Sequence, residues 1–379
     1  MRNEQFDLQR ALTEAHQCLL CWDAPCNKEC GADTNPAKFI RQLRFGNIKG
    51  AIRTIRKNNV LGAICSYVCP TKRLCVKGCL RTELDEPIKI EKIQAFLMDY
   101  ERRNNMRVLR APEPGDKQVG IIGSGPAGLS AAASLAMKGY KVTVFEKAAE
   151  PGGILRYGIP KYRLPSDILE YEIELLRDLG ITFRCEEPIL GKEALENLLQ
   201  NGFHALFLAT GLDAPYKLNL APSQSRGIYL WDNFLAIMKE SDAGTFINEK
   251  NIAVIGGGDV ALDCATSARF FGADRVYCIS LESMEELPAD EEEIRLAIDK
   301  GVRFRQNSRI TEILTDNGNV KGVRGEEIEW VVPGKLVPEN ARSVKGSEFT
   351  LNVDIIVVAI GTGISQELRT LYAPLLKSA

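Results

Sequence analysis

Histidine is nearly absent: the 379 residues contain two, His16 and His204. His16 falls in an amphipathic helix and His204 just before an apolar strand expected to be buried. Both read as structural, and no residue stands out as a general acid or base. No run reaches the ~18 apolar residues of a membrane span, so no membrane association is expected. The first residues, MRNEQFDLQR, lack the apolar region of a secretory signal, and the expected location is the cytoplasm. An excess of one charge is missing too. Forty-eight Lys and Arg face 50 Asp and Glu, a net of −2, which argues against a general nucleic-acid binder. What remains, 45% hydrophobic and 26% charged, is an ordinary globular composition and excludes wholesale disorder. At roughly 100–200 residues per domain it predicts two to three domains.

Cysteine, by contrast, is plentiful and uneven. Eight of eleven lie in the first 79 residues: Cys18, Cys21, Cys26, Cys30, Cys65, Cys69, Cys75 and Cys79. Residues 1–110 carry 20 Lys and Arg against 12 Asp and Glu, a net of +8, while the other 269 carry 28 against 38, a net of −10. The N-terminal segment is therefore chemically distinct. Its apolar residues recur at helical spacing over 6–20, 48–55 and 90–97, and Asn35-Pro36 marks a further helix start. A turn-rich linker, Ala111-Pro-Glu-Pro-Gly-Asp116, closes it.

Beyond the linker, strands alternate with helices, the pattern of parallel α/β sheets. Gly123-Ser124-Gly125-Pro126-Ala127-Gly128 follows the strand 118–122 and opens a helix, the context that gives GxGxxG its meaning. Gly123 permits the tight turn, Gly125 lets backbone amides approach a pyrophosphate, and Gly128 allows close helix–strand contact. Glu146 ends the next strand, 18 residues past Gly128, placed to accept from a ribose. A second motif, Gly256-Gly257-Gly258-Asp259-Val260-Ala261, lies 133 residues on. Its second strand is followed by Leu281 and Glu282. An acid here would repel a 2′-phosphate and bond a free 2′-hydroxyl, so NAD is expected over NADP. The competing reading of Glu282 is a solvated loop acid among Glu285, Glu286 and Asp290–Glu293. Two nucleotide folds point to FAD on the first and a nicotinamide on the second. Ala209-Thr-Gly211 and Ala359-Ile360-Gly361 follow apolar strands and are candidate crossovers between them.

The cysteine spacings are C-x2-C-x4-C-x3-C and C-x3-C-x5-C-x3-C. Disulfides are not expected without a secretion signal. Structural zinc would take four thiolates per site; iron–sulfur clusters would carry single electrons. Cys69-Pro70, the interleaved basic residues and the flavin context favour clusters. Cys185, Cys264 and Cys278 read as small packing residues.

From about residue 5 to 365 the chain resembles the N-terminal half of dihydropyrimidine dehydrogenase, and more closely the stand-alone NAD-dependent subunit of the bacterial enzyme. It is also similar to the glutamate synthase small subunit. The residues carrying the resemblance are the eight cysteines, Gln94 in Ile-Gln-Ala-Phe, GSGPAG at 123–128, and Phe-Glu-Lys at 145–147. They continue with Gly-Gly-Ile-Leu-Arg-Tyr-Gly-Ile-Pro at 152–160, Tyr-Arg-Leu-Pro at 162–165 and Gly-Gly-Gly-Asp-Val-Ala-Leu-Asp-Cys at 256–264.

The resemblance implies an α/β chain: a helical domain with two 4Fe-4S clusters (1–111), an FAD domain (112–224) and an inserted NAD domain (225–352). The FAD domain would resume at 353–379, shortened and without its usual closing Phe-Ala-Gly-Gly-Asp. It implies crossed ligation, with Cys18, Cys21, Cys26 and Cys79 on one cluster. Cys30, Cys69, Cys75 and Gln94 take the other, and Cys65 is spare. By its residues alone, Gln94 reads as a surface helix residue. Implied FAD contacts are the 123–128 turn, Glu146, Lys147, Gly152, Gly153, Ile154 and Arg163. Implied nicotinamide contacts are the 256–260 turn, Glu282, Ala359, Ile360 and Gly361. NADP-using relatives carry basic residues at the Leu281-Glu282 pair. The implied function is an electron-input subunit passing electrons from NADH through FAD and the clusters. The acceptor would be an FMN-containing barrel subunit, in a heterotetramer, that reduces uracil or thymine to the 5,6-dihydropyrimidine. Alternatives are a glutamate synthase small subunit, an NADH:ferredoxin-type diaphorase and, outside enzymes, a zinc-stabilised binding module.

Overall fold

Side-chain caps start three of the N-terminal helices. In a computed structural model describing residues 6–218, 220, 225–240 and 242–370, α1 is Leu8–His16, α2 Pro36–Arg44, α3 Ile48–Asn58, α4 Gly62–Val68 and α5 Ile90–Arg103. Asp7 accepts from the Arg10 amide at 2.8 Å, Asn35 from the Lys38 amide at 3.1 Å and Asn47 from the Gly50 amide at 2.8 Å, each satisfying an orphan donor of a first turn. Pro36 sits at the first helical position, where its missing N–H is no loss. The apolar stripes meet in a core of Ala15, Phe39, Leu43, Ile52, Ile55 and Leu97, none of them exposed. Among the described residues, no helix is long and apolar enough to cross a membrane.

The first dinucleotide fold follows. Its strands are β1 (Gln118–Ile122), β2 (Lys141–Phe145), β3 (Thr182–Arg184) and β4 (Ala205–Leu208), parallel and in the order β3-β2-β1-β4. Helix α6 (Pro126–Ala136) leaves the first glycine turn, and α7 (Ser166–Asp178) precedes β3. The order reverses at β1, which makes the crevice beyond the ends of β1 and β4 the ligand position in such sheets. The strand after His204 is an edge, not a buried strand: no partner lies beyond β4 among the described residues, and Phe207 is 43% exposed.

The chain divides into two compact units. One holds the residues up to Arg156 with Lys161–Gly211; the other holds Tyr157–Pro160 and the residues from Leu212 onward. The helical segment and first dinucleotide fold thus share one unit across the 111–116 linker, tied by Arg102 to Asp167 and Arg107 to Asp178, both at 2.6 Å.

In the second unit, β5 (Ile228–Leu230), β6 (Asn251–Ile255), β7 (Arg275–Ile279), β8 (Arg303–Arg305) and the late strand Ile355–Val358 form one parallel sheet. Helix α8 (Asp259–Phe270) covers one face. Three strands that the sequence pattern does not predict, β9 (Ser308–Asp316), β10 (Asn319–Trp330) and β11 (Phe349–Asn352), pair antiparallel. Ile310, Ile313, Val320 and Val323 of that layer pack against Ala253, Ile255, Ile279 and Ile356 on the other face.

The late strand, β12 (Ile355–Val358), corrects the expected return to the flavin domain at residue 353. It lies between β5 and β6 because its four side chains, Ile-Ile-Val-Val, are all buried, as a central parallel strand requires. The segments entering and leaving this fold pair antiparallel, Thr362 with Pro215 and Gly363 with Ala214. The expected boundary at residue 224 and the stretch 371–379 lie outside the described residues.

Candidate functional site

Both glycine turns are built alike. Gly123 has φ +102°, and a Cβ there would lie 2.4 Å from the Ala209 carbonyl oxygen; Gly256 has φ +137°, with Ala359 oxygen at 2.2 Å. Only glycine fits either place. The Ala209 and Ala359 segments thus each close on the glycine turn of their own fold, and the chain passes from the first unit to the second at Gly211, within one of the expected crossovers. Gly125 and Gly258, by contrast, face open space, with no atom within 4 Å of where a Cβ would stand. Each is the N-cap of its helix, α6 or α8, so free amides and the positive helix end meet where a pyrophosphate would lie. Pro126 and Ala127 are exposed at the start of α6, and Asp259 and Val260 are half-buried at the start of α8.

Glu146, 6% exposed, braces the first turn. Its carboxylate accepts from the Ser124 amide at 3.0 Å, the Ser124 hydroxyl at 2.5 Å and the Ala148 amide at 2.9 Å. A carboxylate has about four acceptor positions, which leaves one for a ribose hydroxyl. The Ser124 hydroxyl in turn accepts from the Gly152 amide at 2.9 Å, and a Cβ on Gly153 would strike Gly125 at 2.8 Å. The 152–153 segment is thereby fastened over the turn. Ile154 and Lys147 are exposed, and Arg163 is half-buried.

At the second turn, Glu282 is half-buried, its Oε2 3.1 Å from where a Gly257 Cβ would stand. Its backbone carbonyl accepts from the Ser280 hydroxyl at 2.9 Å. It thus lies beside the second glycine turn. Ile360 and Gly361 are exposed beside the buried Ala359.

The thiols gather in two sets. Cys18, Cys21, Cys26 and Cys79 line one cavity with Leu19, Leu80 and Arg81. Cys26 is pushed up to about 11 by burial and by Cys18, Cys79 and Cys21. Four thiolates so crowded need a cationic centre to ionise together, so the set fits a metal cluster. Arg44 donates to the Cys18 carbonyl at 3.1 Å, and the Ile88 amide to the Cys79 sulfur at 3.5 Å. Such N–H···S bonds tune cluster potential. In the second set, burial raises Cys75 to about 12, helped by nearby Cys30, and Cys69 is raised mainly by its hydrogen bond with Cys65 and also by burial, Cys75 and Cys30. The Thr34 amide donates to the Cys30 sulfur at 3.4 Å. Among the described residues, no three His, Cys, Asp or Glu side chains are disposed around a single ion.

Gln94 is 6% exposed, not a surface residue, and its amide donates to the Gly62 carbonyl at 2.7 Å. Cys65, spare in the ligand set the resemblance implies, joins this second set, hydrogen-bonded to Cys69, Asn59 and Gln94. Sequence reasoning also misses a buried ionic group, Arg56 with Glu101 and Glu172. Its signal is legible: each is a charge within the apolar stripe of its helix. Cys264 and Cys278 are buried and Cys185 half-buried.

Fold and site together define a pyridine-nucleotide oxidoreductase with an iron–sulfur domain. The family described as dihydropyrimidine dehydrogenase domain II, 4Fe-4S cluster, matches residues 2–106, and that of pyridine nucleotide-disulphide oxidoreductases matches 117–376. The chain is 41% identical over 355 residues, 93% of its length, to the NAD-dependent dihydropyrimidine dehydrogenase subunit PreT of Escherichia coli (strain K12), 79% of which is covered. It belongs to that family. It is also 35% identical over 362 residues, 89% of this chain and 51% of the other, to the NADP(+)-dependent formate dehydrogenase subunit beta of Moorella thermoacetica. Among solved structures, Mycobacterium tuberculosis FprA in complex with NADPH shares the fold, with TM-score 0.54 and 17% identity over 65% of this chain and 71% of that one.

Proposed function

We propose that this chain is the electron-input subunit of a cytoplasmic, NAD-dependent dihydropyrimidine dehydrogenase. NADH occupies the 256–260 turn, where Glu282 accepts from a free 2′-hydroxyl and repels a 2′-phosphate. The 123–128 turn, Glu146, Gly152, Gly153 and Arg163 hold FAD. Cys18, Cys21, Cys26 and Cys79 hold one 4Fe-4S cluster; Cys30, Cys69, Cys75 and Gln94 hold the other. These groups, when bound, supply the conversion of an electron pair into single electrons. The chain's own residues orient them: Ser124 and Glu146 lock the flavin turn, and N–H···S bonds at Cys30 and Cys79 steady the thiolates. The acceptor is an FMN-containing partner subunit that reduces uracil or thymine. One observation carries the reading: two thiol sets lie in the same compact unit as a flavin-type glycine turn.

Anaerobic purification tests it. Iron, sulfide and flavin should be found together, and NADH should bleach the flavin far more readily than NADPH. Zinc without iron or flavin would reject the proposal. The likeness to a formate dehydrogenase subunit favours a second reading, a diaphorase feeding another redox protein. Reduction of uracil with the FMN subunit, against reduction of a ferredoxin without it, separates the two. Turnover of glutamine with 2-oxoglutarate would point instead to glutamate synthase.

A further inference from the structure

Arg56 of α3 has no exposed surface, nor has Glu172 of α7. The guanidinium donates to the Glu172 carboxylate at 2.6 Å and to Glu101 of α5 at 2.7 and 2.9 Å. A buried pair of this kind adds little net stability, since desolvation offsets most of the attraction. Its placement says more. Arg56 also donates to the Val60 carbonyl, and the second oxygen of Glu172 accepts from the Ala63 amide at 2.7 Å. Gln94 holds the Gly62 carbonyl between them. Three side chains therefore grip residues 60–63, the backbone leading directly into Cys65 and Cys69. One of them, Glu172, belongs to the helix of the flavin fold that follows Arg163.

We propose that Arg56 and Glu172 are positioning residues for the second cluster: they pin the thiol-bearing segment 60–69 to helix α7 of the flavin fold. The inference rests on the electron-input reading above. It assigns these residues no chemistry of their own. They act through the backbone at Val60 and Ala63, as outer partners that orient ligands elsewhere act through the ligands they hold.

The test uses the whole chain, purified anaerobically as wild type, Glu172→Gln, Glu172→Ala and Arg56→Lys. Iron and sulfide are counted, the dithionite-reduced clusters are examined by electron paramagnetic resonance, and NADH reduction is followed by stopped flow. Glu172→Gln keeps an acceptor for the Ala63 amide and should keep the wild-type spectrum. Glu172→Ala should alter the signal of one cluster only and slow cluster reduction roughly 10–100-fold, with flavin reduction unchanged. Should Glu172→Ala not fold, Arg56→Lys decides, because it weakens the grip on Val60 while keeping the charge; it should show the same one-cluster change. Wild-type spectra and rates in both Glu172→Ala and Arg56→Lys would overturn the proposal. So would equal loss of both clusters in either variant. A wild-type protein without iron, or inert to NADH, would sink the underlying reading instead.

Discussion

Gly123 and Glu282 show what a single residue can decide. Gly123→Ala places a Cβ 2.4 Å from the Ala209 carbonyl oxygen at a φ of +102°. The strain should cost about 1–3 kcal/mol, and the variant should unfold at lower urea and release its flavin on gel filtration; an unchanged midpoint would refute the close approach. Glu282→Arg should invert coenzyme choice. A cation beside Gly257 attracts the 2′-phosphate that the carboxylate repels, so kcat/KM should fall for NADH and rise for NADPH, each by roughly tenfold, or about 1.4 kcal/mol. If neither ratio moves, Glu282 is a bystander. Both residues are legible in the sequence because a motif in strand–turn–helix context names its own parts. Cys65 is not: spacing says how far apart thiols lie along the chain, not which of them meet in space.

At the level of elements, local chemistry is a good guide where a cap or an apolar period specifies the structure. Asn35 illustrates it, with φ +61° and its side chain on the Lys38 amide. Asn35→Ala should cost about 1 kcal/mol and Asn35→Gly only a few tenths, because glycine accepts the left-handed backbone. Equal denaturation midpoints for the two variants would contradict that cause. The antiparallel layer escapes the sequence pattern although Asn317-Gly318, between β9 and β10, is a strong hairpin signal. Its apolar residues do not alternate cleanly, since the register shifts at Ile310/Glu312 and Leu314/Thr315. Strand β4 fails in the opposite sense. Ala-Leu-Phe-Leu reads as buried, yet Ala205 and Phe207, which share one face, are exposed; whether another layer covers that face is something no local pattern encodes.

For the whole molecule, the thiol sets bear on folding as well as electron flow. Helix α4 has seven residues and the helix Pro25–Lys28 four, too short to persist alone in water. Metal binding to such segments contributes directly to folding. Removing iron with a chelator should therefore lower the helical circular-dichroism signal and the melting temperature of the first unit. Melting of the second unit should stay where it was. If chelation changes neither, the thiols do not hold a cluster that supports the fold.

The amino-acid order alone determined the two nucleotide turns, the strand-and-helix alternation around them and the cysteine-rich, basic start, because each depends on residues close together along the chain. Tertiary structure decided which thiols share a cavity, that the helical segment joins the flavin fold in one unit, and that Ile355–Val358 belongs to the second sheet. It also decided that Arg56 meets Glu172, 116 positions away. Those outcomes turn on which distant surfaces bury one another, and burial is a property of the folded chain rather than of any stretch of it.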